Sequence, residues 1–168
     1  ILKNTRPLLY PIIIRGFYQV TKTLEDQLLL DVNCKTVTTG DISKINLEKQ
    51  DIFPLSHILI NSVTQSDNNG SATYNFNVSI LSMDIVDQSK EPTTDLFRGN
   101  DNTQDILNTQ MSVSNKLIQL MRGGTLFQDM YQVQGDATFE FFTERFENEV
   151  AGVTATFNII IYNDIFIC

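Results

Sequence analysis

TYNFNVSILSMDI, Thr73 to Ile85, carries the clearest periodic signal in the chain. Tyr74, Phe76, Val78 and Ile80 alternate with Asn75, Asn77 and Ser79. Successive side chains of a strand point to opposite faces, so this is a long strand with one buried face and one polar face. Beyond Ile80 the apolar phase moves to Leu81, Met83 and Ile85, which predicts either a bulge or burial on both sides. A strand of this kind needs partners on both edges and a layer over its apolar face, and the flanking sequence supplies both.

Toward the N-terminus, SDNNG (Ser66 to Gly70) is a turn, with Gly70 free to take the positive φ of a tight hairpin. HILINSV, His57 to Val63, is the partner strand. Ile42 to Pro54 reads as a loop with one weak helical turn, Pro54 holding Phe53 extended. KTVTT, bounded by Asn33 and by Gly40-Asp41, is a short β-branched strand expected at an edge. From Pro11 onward Ile13, Phe17, Val20, Leu24 and Leu28 recur at steps of three and four, the stripe of an amphipathic helix, with proline acceptable in its first turn.

Toward the C-terminus, Asp87 to Asn102 is rich in turn formers and charge and reads as a long exposed connection. A second helix starts there, with Asn102 as N-cap and Asp105 in the first turn, where its charge complements the helix dipole. Its stripe is Ile106, Val113, Leu117 and Leu120, flanked by Leu107, Met111, Ile118 and Met121. Arg122 and Gly123-Gly124 close it, a cation near the last carbonyls and a glycine for a left-handed cap. The last third is a hairpin: Val133, Ala137, Phe139 and Phe141 share one parity, and Val153, Ala155, Phe157, Ile159 and Ile161 share another. The expected fold is a single α+β domain over residues 1–168. It has one mainly antiparallel sheet of about five strands, covered on one side by two helices, in the order α-β-β-β-α-β-β.

Composition narrows the functional classes. The chain has 168 residues, 42% hydrophobic and 19% charged, with net charge -8 and pI near 4.5. That is globular composition, able to build a core without disulfides or metals. Lys and Arg are scattered, so no basic stripe exists to neutralise phosphates, and sequence-specific nucleic-acid binding is not expected. An acidic wall instead repels a polyanion and lets it slide past. Cys34 and Cys168 give neither metal spacing nor a disulfide framework. The sequons at Asn69 and Asn77 are chance matches, and LLYPIII is too short to cross a bilayer.

FFTERFENEVAGV, Phe141 to Val153, raises a catalytic question, because Glu140, Glu144, Glu147 and Glu149 cluster in it and paired carboxylates can run acid-base chemistry or hold a hard cation. Between two amphipathic strands the simpler reading is a polar corner, with Gly152 as the bend or bulge. His57, the only histidine, sits inside an apolar strand with no nucleophile elbow anywhere, so a structural or surface role is expected. Asp84, Asp87 and Glu91 lack calcium-loop spacing, and RGND and the Gly123 pair lack the residues of a phosphate loop. Tyr74, Phe76, Phe139 and Phe157 fall on core parity rather than forming a stacking platform. No catalytic residue, cofactor or metal is expected.

DIFPLSHILI (Asp51 to Ile60), SILSMDIVDQSKE (Ser79 to Glu91), GNDNTQDILNTQ (Gly99 to Gln110) and ERFENEVAGV (Glu144 to Val153) together resemble a group of small virion proteins. These belong to tailed phages of Bacteroidota hosts, including crAss-like phages, and act as neck or tail-completion ring proteins related in fold to tail terminators. The resemblance runs from about Phe17 to the closing NDIFIC. It implies an α+β subunit, assembled in the host cytoplasm and repeated six- or twelve-fold around the portal axis. Portal, adaptor or other neck and tail proteins would be its partners, and it would encircle DNA without reading its sequence, with no membrane involved. A ring of this kind has heterologous contacts. The loop residues Asp87, Glu91, Asp95, Leu96, Phe97 and Arg98 are candidates for one face, and the corner Glu144, Arg145, Glu147 and Glu149 for another. The alternative is a small carbohydrate- or protein-binding β-rich module, which would show a concave aromatic patch with convergent polar groups.

Overall fold

A computed structural model of the chain describes residues 9–44, 50–68, 71–87, 97, 102–128, 131–145 and 149–162, with backbone alone at 9–16, 50, 68, 71 and 144–145. The elements are helix α1 (Leu9–Leu29), strands β1 (Thr36–Thr39), β2 (Leu55–Asn68) and β3 (Ser71–Ile85), helix α2 (Thr103–Gly123), the four-residue helix α3 (Thr125–Gln128), and strands β4 (Gln132–Arg145) and β5 (Val150–Tyr162). The expected order therefore holds, with α3 added. The five strands form one sheet in the order β1-β2-β3-β5-β4. All neighbours are antiparallel except β1 and β2, which run parallel with Thr36 opposite Leu55.

β3 sits at the centre, and its two faces explain the change of phase in its sequence. Phe76, Val78 and Ile80 enter the main core with Ile58 of β2 and Ala155, Phe157 and Ile159 of β5. Val20, Leu24 and Leu28 of α1, Val113, Leu117, Ile118 and Met121 of α2, and Leu126 of α3 cover that face. Each such side chain, fully removed from water, is worth about 1.5–3 kcal/mol. Leu81 and Met83 point the other way, into a smaller cluster with Leu55, Val150 and Phe53. Ile42 and Ile52, from short 3-10 turns at Ile42–Lys44 and Gln50–Ile52, close over it. The phase shift is burial on both faces; the β3–β5 register runs unbroken from Thr73 to Ile85.

Several assignments made from periodicity are corrected. Phe17 is 56% exposed and Phe141 55% exposed, although both share the spacing of core residues. Met111 is also exposed, whereas Gln110 and Ser114 are buried on the inner face of α2. Parity says which way a side chain points but not whether anything covers it, and Phe17 and Phe141 lie at the margins of the layer. The left-handed glycine cap on α2 is absent: Gly124 is extended, φ −103° and ψ −155°. A side chain there would meet the Leu120 Cα at 2.8 Å, so the close approach calls for glycine. Arg122 stands in the last turn of α2, but its hydrogen bond goes to the sheet, Nη2 donating to the Gly135 carbonyl of β4 at 3.1 Å. Asn102 precedes α2 as expected, but its side chain makes no capping bond and instead accepts from the Asp87 backbone N–H at 2.7 Å. Gly152 is neither a bend nor a bulge residue: it lies within β5 between Met83 and Phe142, and the register shift is on β4, between Phe142 and Arg145.

Candidate functional site at the sheet edges

Of the expected interface residues, Asp87 and Glu149 flank the Ile85/Val150 end of the sheet. Glu91, Asp95, Leu96, Arg98 and Glu147 lie outside the described residues, as do the side chains of Glu144 and Arg145 and the Gly70 turn. Phe97 is exposed. Asp87 is exposed just past β3, and Glu149 is exposed in a left-handed conformation, φ 44°. The Glu149 carbonyl accepts the Val86 N–H at 2.9 Å, so the start of the loop and the corner meet in one patch. Among the described residues no group of three or more His, Cys, Asp or Glu side chains is placed to hold a metal ion. None of their helices is long and apolar enough to cross a membrane.

His57 is fully buried and wholly engaged. Its Nε2 lies 3.0 Å from the Gly40 carbonyl, which can only accept, so Nε2 carries the proton. Nδ1, 2.8 Å from Thr38 Oγ1, is then the acceptor of the threonine hydroxyl. Burial pushes the imidazole pKa below its ordinary value, against weaker opposing effects from the Gly40 carbonyl and Asp41. The ring is a neutral clamp fastening β1 and its exit turn to β2, assisted by Thr39 Oγ1 donating to the Ile58 carbonyl at 3.0 Å.

That clamp positions the first sheet edge. β1 carries only Thr36, Val37, Thr38 and Thr39, with no charge, proline or bulge to guard it. The Thr36 N–H donates to the Pro54 carbonyl at 3.2 Å. In a parallel ladder alternate residues face the partner, so the backbone groups of Val37 and Thr39 face outward. Above this edge α1 and β1 form a groove of about 440 Å³ lined by Phe17, Tyr18, Thr21, Lys22, Val37 and Ile58, among others. Tyr18 is 61% exposed beside Phe17, and Lys22 is paired along its own helix with Asp26 at 3.1 Å and Glu25 at 3.6 Å.

The second edge is β4. Its pairing with β5 shifts register between Gln134 and Thr138 and again between Phe142 and Arg145, leaving Thr138 to Phe142 as a straight stretch. Gly135, φ +74°, sits at the first shift. Phe139 packs against the main core and Phe142 against the opposite cluster. Phe141, with the parity of Phe139, stands uncovered on the helix side.

The open face of the sheet carries a band of uncharged amides and hydroxyls. Asn61 Nδ2 donates to Asn77 Oδ1 at 2.9 Å and to Ser79 Oγ at 2.7 Å. Asn77 Nδ2 donates onward to Asn158 Oδ1 at 2.9 Å, and Ser79 Oγ lies 3.0 Å from Thr156 Oγ1. These cross-strand bonds use the polar positions that alternate with the core residues of β3, and the band they form is uncharged.

No family model matches the chain, and no curated protein matches it. The edges and the open face therefore carry the functional reading on their own geometry, beside the resemblance in the sequence.

Proposed function

We propose that this chain is a structural subunit of the neck of a tailed phage, repeated in a closed ring around the DNA channel. It would meet portal-side and tail-side proteins through the two ends of its sheet. The observation that carries the reading is a sheet with its α-helices on one face and two unlike edges that are unpaired among the described residues. A subunit whose left and right sides differ makes heterologous contacts, and heterologous contacts build a ring when their rotation closes. The uncharged amide band and the net charge of -8 suit a channel wall that does not hold DNA. Electron microscopy of the purified protein and of particles containing it tests this: a six- or twelve-fold ring is expected, and particles without any ring of this chain would refute it.

The aromatic groove between α1 and β1 favours a second reading, a module that binds a protein segment or a carbohydrate. Saturable binding of glycans or peptides by the isolated protein, lost on Tyr18→Ala, would favour it over the ring.

A further inference from the structure

We propose that the ring contact is strand addition: β1 of one copy receives β4 of the next, antiparallel, and Phe141 of the incoming strand seats in the groove formed by Phe17, Tyr18 and Val37. This inference rests on the ring reading above and specifies which surfaces make the ring.

Three features of the sheet point to it. The first is height. Following the register across the strands, Val37 lies opposite Ser56, Ser56 opposite Ser82, Ser82 opposite Val153, and Val153 opposite Phe141. The row above ends likewise, Thr39 through Ile58, Ile80 and Ala155 to Phe139. The straight stretch of β4 is therefore level with β1, and the register shifts that blunt the rest of β4 lie outside that level. Rotation about an axis along the strands, with no rise, lays one edge beside the other, as a closed ring requires.

The second feature is direction. β1 is parallel to β2, and each step from β2 through β3 and β5 to β4 is antiparallel, so β4 runs opposite to β1. A neighbour related by rotation about that axis presents β4 antiparallel to β1, the pairing with the better hydrogen-bond geometry. The outward backbone groups of Val37 and Thr39 gain partners.

The third feature is side. Rotation keeps the helix layer on the same side in every copy. Phe141 is on the helix side of β4, and the groove is on the helix side of β1, so the exposed ring enters the gap lined by the exposed Phe17 and Tyr18. Each of the two edges lacks what the other carries.

Cysteines in place of Thr38 and Glu140, level with each other on the open face, test the contact without touching Phe141 or the groove. Cys168→Ser removes the one other site, while Cys34 is buried and its thiol pKa is raised by desolvation. Within one copy four inter-strand steps separate the two positions by roughly 19 Å, too far for a disulfide. Oxidation of the double variant is expected to give a covalent ladder ending at a closed species, with each single variant giving dimers at most. Rings of the unmodified protein in micrographs with no ladder would overturn the strand contact and leave the ring reading standing. A ladder that never closes would keep the contact and overturn the ring, and absence of both would overturn both. Phe141→Asp should weaken assembly at least about tenfold with an unchanged melting curve, while Phe141→Leu assembles. Wild-type assembly by Phe141→Asp would remove Phe141 as the anchor.

Discussion

Replacing Gly152 by alanine is expected to be among the most damaging single-methyl additions in the chain. A Cβ at Gly152 would overlap the Ser82 carbonyl oxygen and lie 2.8 Å from both the Met83 Cα and the Phe142 Cζ. Phe142 can swing by a few tenths of an ångström, but the other two atoms are backbone of β3, the central strand. Relief requires β3 and β5 to part where both are buried. Overpacking commonly costs 1–3 kcal/mol where side chains can adjust, and a backbone obstacle places this change at about 2–4 kcal/mol. With 168 residues and about 2.1 cal/mol/K of unfolding entropy for each, that is a fall in Tm of about 6–11 °C. Gly123→Ala is the internal control: nothing lies within 4 Å of its added methyl, and it ends α2. Alanine there should raise stability by up to about 1 kcal/mol. Thermal unfolding followed by far-UV circular dichroism reads both changes. A Gly152→Ala protein melting within about 2 °C of the parent would mean that β3 and β5 are not packed as described.

His57 titration should show in stability. The unfolded chain takes up this proton near the ordinary value of 6.5 and the folded chain only at lower pH, so the unfolded state binds more protons in the window below 6.5. The contribution from neutral His57 is full above that value and is lost as pH falls through the window; Tm of wild type and His57→Gln across pH 5 to 8 should converge on the acid side. Gln110 is buried with Oε1 unpartnered among the described residues, so Gln110→Met should raise stability by about 1 kcal/mol, and a fall in the denaturation midpoint would show that the amide is satisfied. Glutamine at Glu144, Glu147 and Glu149 together should change stability by less than about 0.5 kcal/mol. A hydrolytic activity abolished by that triple change would overturn the structural reading of the corner.

What could be read in the sequence, and what could not, separates along a physical line. Alternation in Tyr74 to Ile80 identified both faces of β3, including the Asn77 and Ser79 positions that form the amide band, because strand geometry leaves side chains only two directions. The edge placement of β1 also followed from its shortness and β-branching. Its parallel pairing did not, since composition carries no strand direction. Phe17 and Phe141 were assigned to the core by the same periodicity that placed Val20 and Phe139 correctly; coverage depends on where the helices end over the sheet, which is a tertiary property. Those two residues turn out to border the groove and the edge that matter most for the candidate contact. The apolar neighbours of His57 spoke against a catalytic role, whereas its burial and its partners Thr38 and Gly40, which arrive through the parallel pairing, were not legible.

Across the interior runs a chain of small polar groups: Cys34 Sγ lies 3.5 Å from Ser56 Oγ, Ser56 Oγ 3.2 Å from Ser82 Oγ, and Ser82 Oγ 3.3 Å from Ser114 Oγ. The serines are fully buried and link β2, β3 and α2. An all-aliphatic interface tolerates sliding, because one methyl group replaces another at little cost. Hydroxyls do not, since a slip of one residue turns each serine to the opposite face and strands its neighbour without a partner, at about 1–3 kcal/mol for each. The chain acts as a set of detents that gives the layers one setting. Val37 and Phe141 end the same row that contains Ser56 and Ser82, so those detents also keep the two margins of the sheet level with each other.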